Sequence, residues 1–220
     1  MRPLRTLSHE EARHFYDRFG ARQDSQLWYE REAIARLCAH LDLDPAQSVV
    51  ELGCGTGRFA AELLDGLLPP DARYLGLDVS ATMVELARQR TARFGERVEI
   101  RQTDGAPRID APDGAFDRFV STYVLDLLSE ADVRAVLAEA HRVLAPGGRL
   151  GLASLTRGES LLSRGLTRAW EAVHRLNPLW VGGCRPLALA GFVADGGWTV
   201  LHHECVEQVG IASEVLVARR

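Results

Sequence analysis

Three glycines at alternating positions follow a short apolar run in the segment ELGCGTGRF, residues 51–59. Glycine lets the backbone turn tightly and lets a ligand approach closely, and the amides of a following helix can donate to that ligand. The dinucleotide motif Gly-x-Gly-x-x-Gly would place its third glycine where this chain has Arg58. The turn therefore favours a cofactor cradle that departs from nicotinamide binding. A tight strand-to-helix turn without a ligand is the alternative.

Two acidic residues follow the glycine turn at the predicted ends of strands. Asp78 closes the apolar segment YLGLD, and Asp104 stands in QTDGA. A carboxylate at the end of the second strand can accept from both hydroxyls of a ribose, which favours an adenosine-containing ligand. Asp104 could accept from an adenine amino group while main-chain amides around Gly105 reach a ring nitrogen. The alternatives are a helix cap at Asp78 and an Asx turn at Asp104.

The elements that would position these residues alternate along the chain. Apolar runs predict strands at 48–52, 73–77, 97–102, 117–121 and 149–155, with helices at 58–67, 81–93 and 129–144. This alternation predicts an α/β fold, a parallel sheet with helices on both faces. Two consecutive strand-like runs, 197–204 and 212–219, predict a C-terminal antiparallel hairpin at or near the sheet edge. Before the sheet, residues 8–41 predict two short helices.

Composition limits the partners and the chemistry. The chain has 220 residues, 46% of them hydrophobic, as in an ordinary globular protein with one core. A net charge of -4 argues against nucleic acid as a partner and favours a small molecule. The sequence contains no lysine, which excludes Schiff-base catalysis and a phosphate-loop lysine.

The cysteine pattern bears on metal binding and location. Cys38, Cys54, Cys184 and Cys205 lie far apart without a Cys-x-x-Cys pair, so neither a zinc ribbon nor a dithiol redox centre is indicated, and we expect no bound metal. No apolar stretch has the length of a signal peptide or a membrane span. We therefore expect a cytoplasmic protein.

Further segments extend the pattern of the glycine turn: YLGLDVSATMVELAR, FDRFVSTYVLDLLS and HRVLAPGGRLGLAS. Together with VVELGCGTGRF, they make residues 45–155 resemble the class I S-adenosylmethionine-dependent methyltransferases, particularly the branch with quinone C-methyltransferases and phospholipid N-methyltransferases. The resemblance implies a Rossmann-like sheet of seven strands with the last inserted antiparallel. It also implies S-adenosylmethionine as the cofactor and methyl transfer to a small-molecule or lipid-like acceptor. A nicotinamide-dependent oxidoreductase and a non-catalytic cofactor-binding protein are the alternatives.

The resemblance also implies which residues contact the cofactor. These are Glu51, Gly53, Gly55 and Gly57 at the methionine part, Asp78 at the ribose, Met83, Asp104 and Gly105 at the adenine, and Ser121 beside the sulfonium. Residues 1–45 would form a helical lid on the domain at 46–220, with Tyr16 reaching the cofactor carboxylate. Core packing of the lid aromatics is the alternative.

The acceptor side offers fewer signals. Tyr123 and Asp126, just past the fourth predicted strand, are candidates for a general base, which methyl transfer requires only when the acceptor carries a proton. Both residues could instead be structural. Related quinone enzymes often carry histidine at the position of Asp126, so the acceptor is not implied. Candidate substrate contacts are Trp28 and Tyr29 in the lid and Arg185 in a loop, where it could also cap the structure.

An insertion at about 156–185 carries a basic amphipathic pattern. On a helix, Arg157, Arg164, Arg168 and Arg175 share one sector, and leucines with other apolar residues fill the opposite side. We expect a solvated arginine face over an apolar stripe packed on the core, acting as a substrate lid. Docking to an anionic membrane surface is the alternative.

Overall fold

The computed structural model describes residues 5–220, with Gln26 and Leu27 described only in their backbone; the first four residues of the predicted lid lie outside this range. The strands are β1 (Ser48–Leu52), β2 (Arg73–Asp78), β3 (Val98–Gln102), β4 (Phe116–Thr122), β5 (Leu144–Leu155), β6 (Thr199–Gln208) and β7 (Ile211–Arg219). The helices are α1 (His9–Phe19), α2 (Leu27–Leu41), α3 (Arg58–Gly66), α4 (Ala81–Thr91), α5 (Glu130–Val143), α6 (Leu161–Leu176) and α7 (Leu189–Asp195).

All these strands form a single sheet in the order β3-β2-β1-β4-β5-β7-β6. Neighbours from β3 to β5 run parallel, and β7 is antiparallel to both β5 and β6. The predicted α/β fold and the C-terminal hairpin are confirmed. The chain order reverses at β1, which lies between β2 and β4. In open α/β sheets, ligands bind in the crevice beyond the carboxyl ends of the strands at such a reversal.

Alternating side chains of the strands build a core on each face of the sheet. Val50 and Phe119 belong to the cluster that α5 and α7 cover. Their strand neighbours Val49 and Val120 belong to the cluster that α2 and α3 cover. Successive residues of a strand point to opposite faces, so these buried runs require helices on both sides of the sheet.

Serine hydroxyls begin four of the helices. Ser8, Ser80, Ser129 and Ser160 each accept a hydrogen bond from the amide three residues later, at the starts of α1, α4, α5 and α6. These caps satisfy amides that would otherwise lack partners at a helix N-terminus. They fix where each helix begins, and hence where the loops at the carboxyl edge of the sheet end.

Helix α6 contradicts one expectation. Its predicted apolar stripe does not pack on the core: Leu162, Leu166 and Leu176 are all exposed. The residues that α6 buries are Ser163, Glu171 and His174, which are polar. The prediction was wrong because periodicity identifies two faces of a helix but does not establish which of them meets the sheet.

Candidate functional site

A cleft of about 880 Å³ opens beyond the carboxyl ends of β1, β2 and β4. Gly53, Asp78 and Thr122 line it from the sheet, and α1 and the residues before it contribute His9 and Tyr16 from above. Leucines, valines and the backbone of the loop after β3 complete the walls. The cleft is therefore mostly apolar and carries one carboxylate at its edge.

A second chamber of about 540 Å³ adjoins the first. Gln23, Gly53, Thr122 and Tyr123 line both, so they form the boundary between two parts of one site. The second chamber is polar, and its carboxylates include Glu30, Glu51 and Glu62. The site thus joins an apolar chamber to an acidic one.

The glycine turn forms the boundary of these chambers for a steric reason. Gly53 has φ +78°, and a Cβ there would overlap the side chain of Val124. Gly55 has φ +51° and lies beneath the Gln23 side chain. Gly57 instead faces α4, where a Cβ would lie 2.7 Å from the Ala87 Cα. Gly53 and Gly55 therefore reach the site, whereas Gly57 lets α3 pack closely on α4.

The Asp78 carboxylate joins the glycine turn to the residue before α4 through two hydrogen bonds. Its Oδ2 accepts from the Gly55 amide at 2.8 Å, and its Oδ1 accepts from the Ser80 amide at 2.9 Å. The cap of α4 is Ser80 itself, so Asp78 is free of that role. Burial raises the pKa of the Asp78 carboxyl, and the two amide bonds oppose the shift. Each oxygen keeps a lone pair for a further donor, as a ribose diol requires.

The predicted adenine contacts do not all reach the cleft. Asp104 is exposed, and its side chain accepts from the Ala106 amide at 2.9 Å in an Asx turn. Gly105 lines the cleft beneath His9. Met83 is fully buried outside the cleft lining. Thr103, Gly105 and Ala106 line the cleft, whereas Asp104 does not.

Ser121 supports the site from behind, whereas Glu51 lines the second chamber. The Ser121 hydroxyl donates to the Leu52 carbonyl at 3.1 Å. Glu51 is buried, lines the second chamber and accepts from the Tyr74 hydroxyl. Burial raises the pKa of Glu51 to about 8, so this carboxyl carries a proton at neutral pH.

Two aspartates attach the N-terminal segment to α4 and the glycine turn. Asp17 accepts from the Ser80 hydroxyl at 2.6 Å. Asp24 accepts from Arg90 at 2.7 Å and from the Thr56 hydroxyl at 2.7 Å. This segment therefore covers the cleft and is anchored to the same turns that form its floor.

The lid aromatics differ in their surroundings. Tyr16 lines the first chamber, and its hydroxyl lies 3.5 Å from the Gly182 carbonyl. Tyr29 is buried and packs edge-on against Tyr123, with ring centroids 5.9 Å apart. Trp28 is half exposed and lines neither chamber. Of the three, Tyr16 reaches the cleft directly and Tyr29 acts through Tyr123.

Tyr123 is the acceptor-side residue that reaches both chambers. Its backbone has φ +55°, a conformation that L residues rarely adopt, and its hydroxyl shares a 2.8 Å hydrogen bond with Ser213. Burial raises the pKa of the Tyr123 phenol. The phenol therefore stays protonated at neutral pH, the form in which it can donate a hydrogen bond.

Asp126 and Arg185 lie behind the cleft wall. Asp126 is fully buried, its Oδ2 accepts from the Leu155 amide at 3.4 Å, and its Oδ1 has no hydrogen-bond partner among the described residues. Burial raises the pKa of this carboxyl to about 7. Arg185 donates to the Leu128 carbonyl at 2.8 Å. Neither side chain lines the two chambers.

Two site residues carry no recognisable sequence signal. Gln23 sits over the glycine turn with a buried Oε1 that has no partner within the described part of the chain. Glu30 lines the second chamber, and burial raises the pKa of its carboxyl to about 7. Both lie in ordinary helical sequence, so only the fold brings them to the site.

One group in the described chain has the composition of a metal site. His40, His202 and Glu204 place their ligand atoms within 4.8 Å of one another on the surface between α2 and β6. None of the three lines the cleft. The rings of His40 and His202 stack with their centroids 3.5 Å apart, and His202 Nε2 lies 2.8 Å from Glu204 Oε1.

Comparison with known proteins identifies the domain. A family model described as a methyltransferase domain matches residues 49–148, which include the glycine turn and Asp78. The chain contains a class I S-adenosylmethionine-dependent methyltransferase domain. The cofactor class predicted from the sequence is confirmed by this match. The roles of the individual site residues stay predictions.

The match between this chain and each of its relatives covers only part of the relative's length. The demethylmenaquinone methyltransferase of Deinococcus radiodurans is 36% identical over 125 residues, 56% of this chain and 48% of that protein. A transposon protein of Streptomyces fradiae, described as uncharacterized, is 40% identical over 110 residues, 50% of this chain and 30% of that protein. The chain spans about half or less of the curated relatives it matches.

Solved structures share the fold at low sequence identity. A methyltransferase from Aquifex aeolicus, described as dependent on S-adenosylmethionine, has a TM-score of 0.65 at 18% identity, covering 97% of this chain and 98% of that one. The same fold occurs in many proteins, and a fold alone does not determine a reaction.

Within residues 5–220, no helix is both long enough and apolar enough to cross a bilayer.

Proposed function

We propose that this protein binds S-adenosylmethionine in the two-chambered cleft and transfers its methyl group to a small-molecule or lipid-like acceptor, releasing S-adenosylhomocysteine. The observation that carries the proposal is the position of Asp78. Its carboxylate joins the glycine turn to the start of α4 at the entrance of an apolar chamber. Such a chamber suits an adenosine, whose ring is apolar and whose diol needs an acceptor.

The chain's own groups match the parts of the cofactor. In this proposal Asp78 holds the ribose, the backbone of 103–106 faces the adenine, and Gly53 and Gly55 leave room beside the acidic chamber for the methionine part. When bound, S-adenosylmethionine supplies an electrophilic methyl group on a sulfonium. Glu51, protonated at neutral pH with a pKa of about 8, would release its proton when a cationic group enters this chamber.

The protein's contribution to the reaction is position and exclusion of water. The anchored N-terminal segment closes the cleft, which favours a fixed approach of donor and acceptor. Tyr123 donates a hydrogen bond to the acceptor. Where the acceptor carries a proton, Glu30 takes it, because a pKa of about 7 suits a general base at neutral pH. The cytoplasmic location expected from the cysteine pattern is part of the same proposal.

Calorimetry tests the cofactor assignment. S-adenosylhomocysteine should bind with micromolar affinity and NADH should not. At pH 7, S-adenosylhomocysteine binding to the parent should release protons, and binding to Glu51→Gln should release fewer. The number of protons released is obtained by measuring the binding enthalpy in buffers of different ionisation enthalpy. Binding of NADH without a response to S-adenosylhomocysteine would favour the oxidoreductase alternative.

A second assay separates catalysis from binding. The protein is incubated with S-adenosylmethionine labelled on the methyl group and a panel of quinols, amines and phenols, and label transfer is measured. Transfer to an acceptor supports the proposal. Tight S-adenosylhomocysteine binding with no transfer to any class of acceptor would favour a non-catalytic cofactor-binding protein.

A further inference from the structure

Helix α6 exposes its apolar face and buries its polar one. Leu161, Leu162 and Leu176 are 88%, 66% and 77% exposed, whereas Ser163 and His174 are almost fully buried. A surface helix of a globular protein ordinarily has the reverse arrangement. Exposed apolar side chains on successive turns of one helix indicate a surface that something else covers.

Neighbouring elements extend this apolar face. Trp180, on the turn Pro178–Val181 after α6, is 69% exposed, and Val209, at the tip of the β6–β7 hairpin, is 71% exposed. The hairpin tip touches the helix, since a Cβ on Gly210 would fall against Leu166 and Leu162. We call the set Leu161, Leu162, Leu166, Leu176, Trp180 and Val209 the α6 apolar surface.

Arginines border this surface. A broad cleft of about 1240 Å³ beside α6 is lined by Arg157, Arg164, Arg168 and Arg175, against two glutamates. Arg157 and Arg175 contact Glu171 at 2.8 and 3.4 Å. Arg164 and Arg168 form no ion pair within residues 5–220 and face solvent. The planar guanidinium matches the geometry of phosphate oxygens.

We propose that α6 docks on an anionic lipid bilayer, with the α6 apolar surface in the boundary between headgroups and acyl chains and Arg164 and Arg168 on lipid phosphates. Helices that lie on membranes combine leucine and tryptophan on one face with arginine on the polar face. A second copy of the chain is the alternative occupant of this surface.

The docked surface lies close to the acceptor side of the cleft. Trp170, on the inward side of α6, packs with Tyr29 and Leu155 in the cluster that Tyr123 also joins. A small cleft between Leu166 and β7, about 330 Å³, opens beside Trp170 and has mostly apolar walls. A lipid chain entering there would approach Tyr123 from the membrane side. The docking itself does not depend on the proposed methyl transfer.

Vesicle co-sedimentation without S-adenosylmethionine tests the docking. Vesicles of equal parts phosphatidylglycerol and phosphatidylcholine should bind the parent at least tenfold more tightly at 20 mM than at 500 mM NaCl, because salt screens the arginines. Vesicles of phosphatidylcholine alone should bind at least tenfold more weakly. Absence of binding to the anionic vesicles at low salt would overturn the proposal.

Matched variants assign the contact to α6. One double variant combines Leu161→Gln with Leu162→Gln, and a second combines Arg164→Gln with Arg168→Gln. Each double variant should weaken vesicle binding at least fivefold. All four side chains are exposed, so their loss leaves the core intact. The control combines Leu67→Gln and Arg134→Gln, an exposed leucine at the end of α3 and an exposed arginine on α5. An equal loss in the control would contradict a specific surface.

Two parallel measurements separate the remaining outcomes. Thermal unfolding and S-adenosylhomocysteine affinity should be unchanged in both α6 variants. If the parent ignores vesicles yet forms a dimer in sedimentation velocity that the leucine variant dissociates, a second copy covers the surface and the proposal fails. Vesicle binding without S-adenosylhomocysteine binding would overturn the proposed function and leave the docking intact.

Discussion

The two sides of the cleft are built from different kinds of group. On the cofactor side, Gly53, Gly55 and Asp78 act through backbone conformation and amide hydrogen bonds within one sheet edge. On the side proposed to take the acceptor, Glu30 in the second chamber and Asp126 behind the cleft wall are carboxyls with raised pKa values, and elements distant in the chain surround them. Substitutions on the cofactor side should therefore act through shape, and those on the acceptor side through protonation.

The largest effect is expected at Gly53. Gly53→Ala places a Cβ against Val124 at a backbone φ of +78°, so both strain and overlap oppose folding. We expect a loss of about 3 kcal/mol in the free energy of unfolding, measured by urea denaturation. Gly66→Ala is the control, because Gly66 ends α3 with nothing within 4 Å of the added methyl group. If both variants unfold like the parent, the turn has more freedom than its packing indicates.

The next largest effect is expected for Glu30→Gln, and it should appear in turnover and not in stability. For an acceptor that carries a proton, kcat/KM at pH 7 should fall about 100-fold. The parent's rate should rise through pH 7 as Glu30 ionises, and this rise should vanish in the variant. Glu32→Gln is the control, since Glu32 is exposed on the same helix and pairs with Arg36. The same rise in the variant would show that another group accepts the proton.

Replacement of Asp78 and replacement of Asp104 should weaken S-adenosylhomocysteine binding by different amounts. Asp78→Ala removes a buried acceptor of two amides and should weaken S-adenosylhomocysteine binding by about 2 kcal/mol in calorimetry. Asp104→Ala should weaken it by less than about 0.5 kcal/mol, because its carboxylate is exposed and bonds only the local backbone. Equal losses of affinity in the two variants would show that the Asp104 side chain contacts the cofactor.

The smallest effect concerns the buried acid behind the cleft. The pKa of Asp126 is about 7 in the folded protein and near 4 in the unfolded chain, so the folded state holds its proton more tightly. That contribution to stability is complete below pH 4 and is lost as pH rises through 7. Asp126→Asn removes the ionisation and should be more stable than the parent at pH 8 by at least about 1 kcal/mol, with the difference vanishing at pH 4.

Chemical denaturation across this pH range measures the difference. S-adenosylhomocysteine affinity should stay unchanged in the same variant, because Asp126 lines neither chamber. A variant that is less stable than the parent at pH 8 would show that the carboxylate is held charged by a partner.

Local patterns were sufficient for most of the architecture. The predicted helix at 129–144 lies at Glu130–Val143, and the predicted strand at 48–52 has those bounds. Both succeed because a serine cap and a run of buried apolar residues are signals carried within a few positions. The same applies to Asp78, whose place at a strand end follows from the alternation of elements.

Other roles needed the folded neighbours. Gly57 belongs to the glycine motif, yet it serves the contact with Ala87 on a helix two elements later. Asp104 stands at the predicted strand end, but the turn after it directs the carboxylate to its own backbone. Gln23 and Glu30 reach the site because the N-terminal segment crosses over the sheet. No local sequence pattern in the N-terminal segment predicts that it crosses over the sheet.

By itself, the sequence determined the parallel sheet, its terminal hairpin and the cofactor edge, because each depends on periodicity and on residues close together in the chain. Only the tertiary structure decided which face of α6 is exposed and which carboxyls line the second chamber or lie behind the cleft wall. Burial depends on what packs against a side chain, and those partners come from distant segments. The leucines of α6 are exposed because polar Ser163, Glu171 and His174 occupy its inward face.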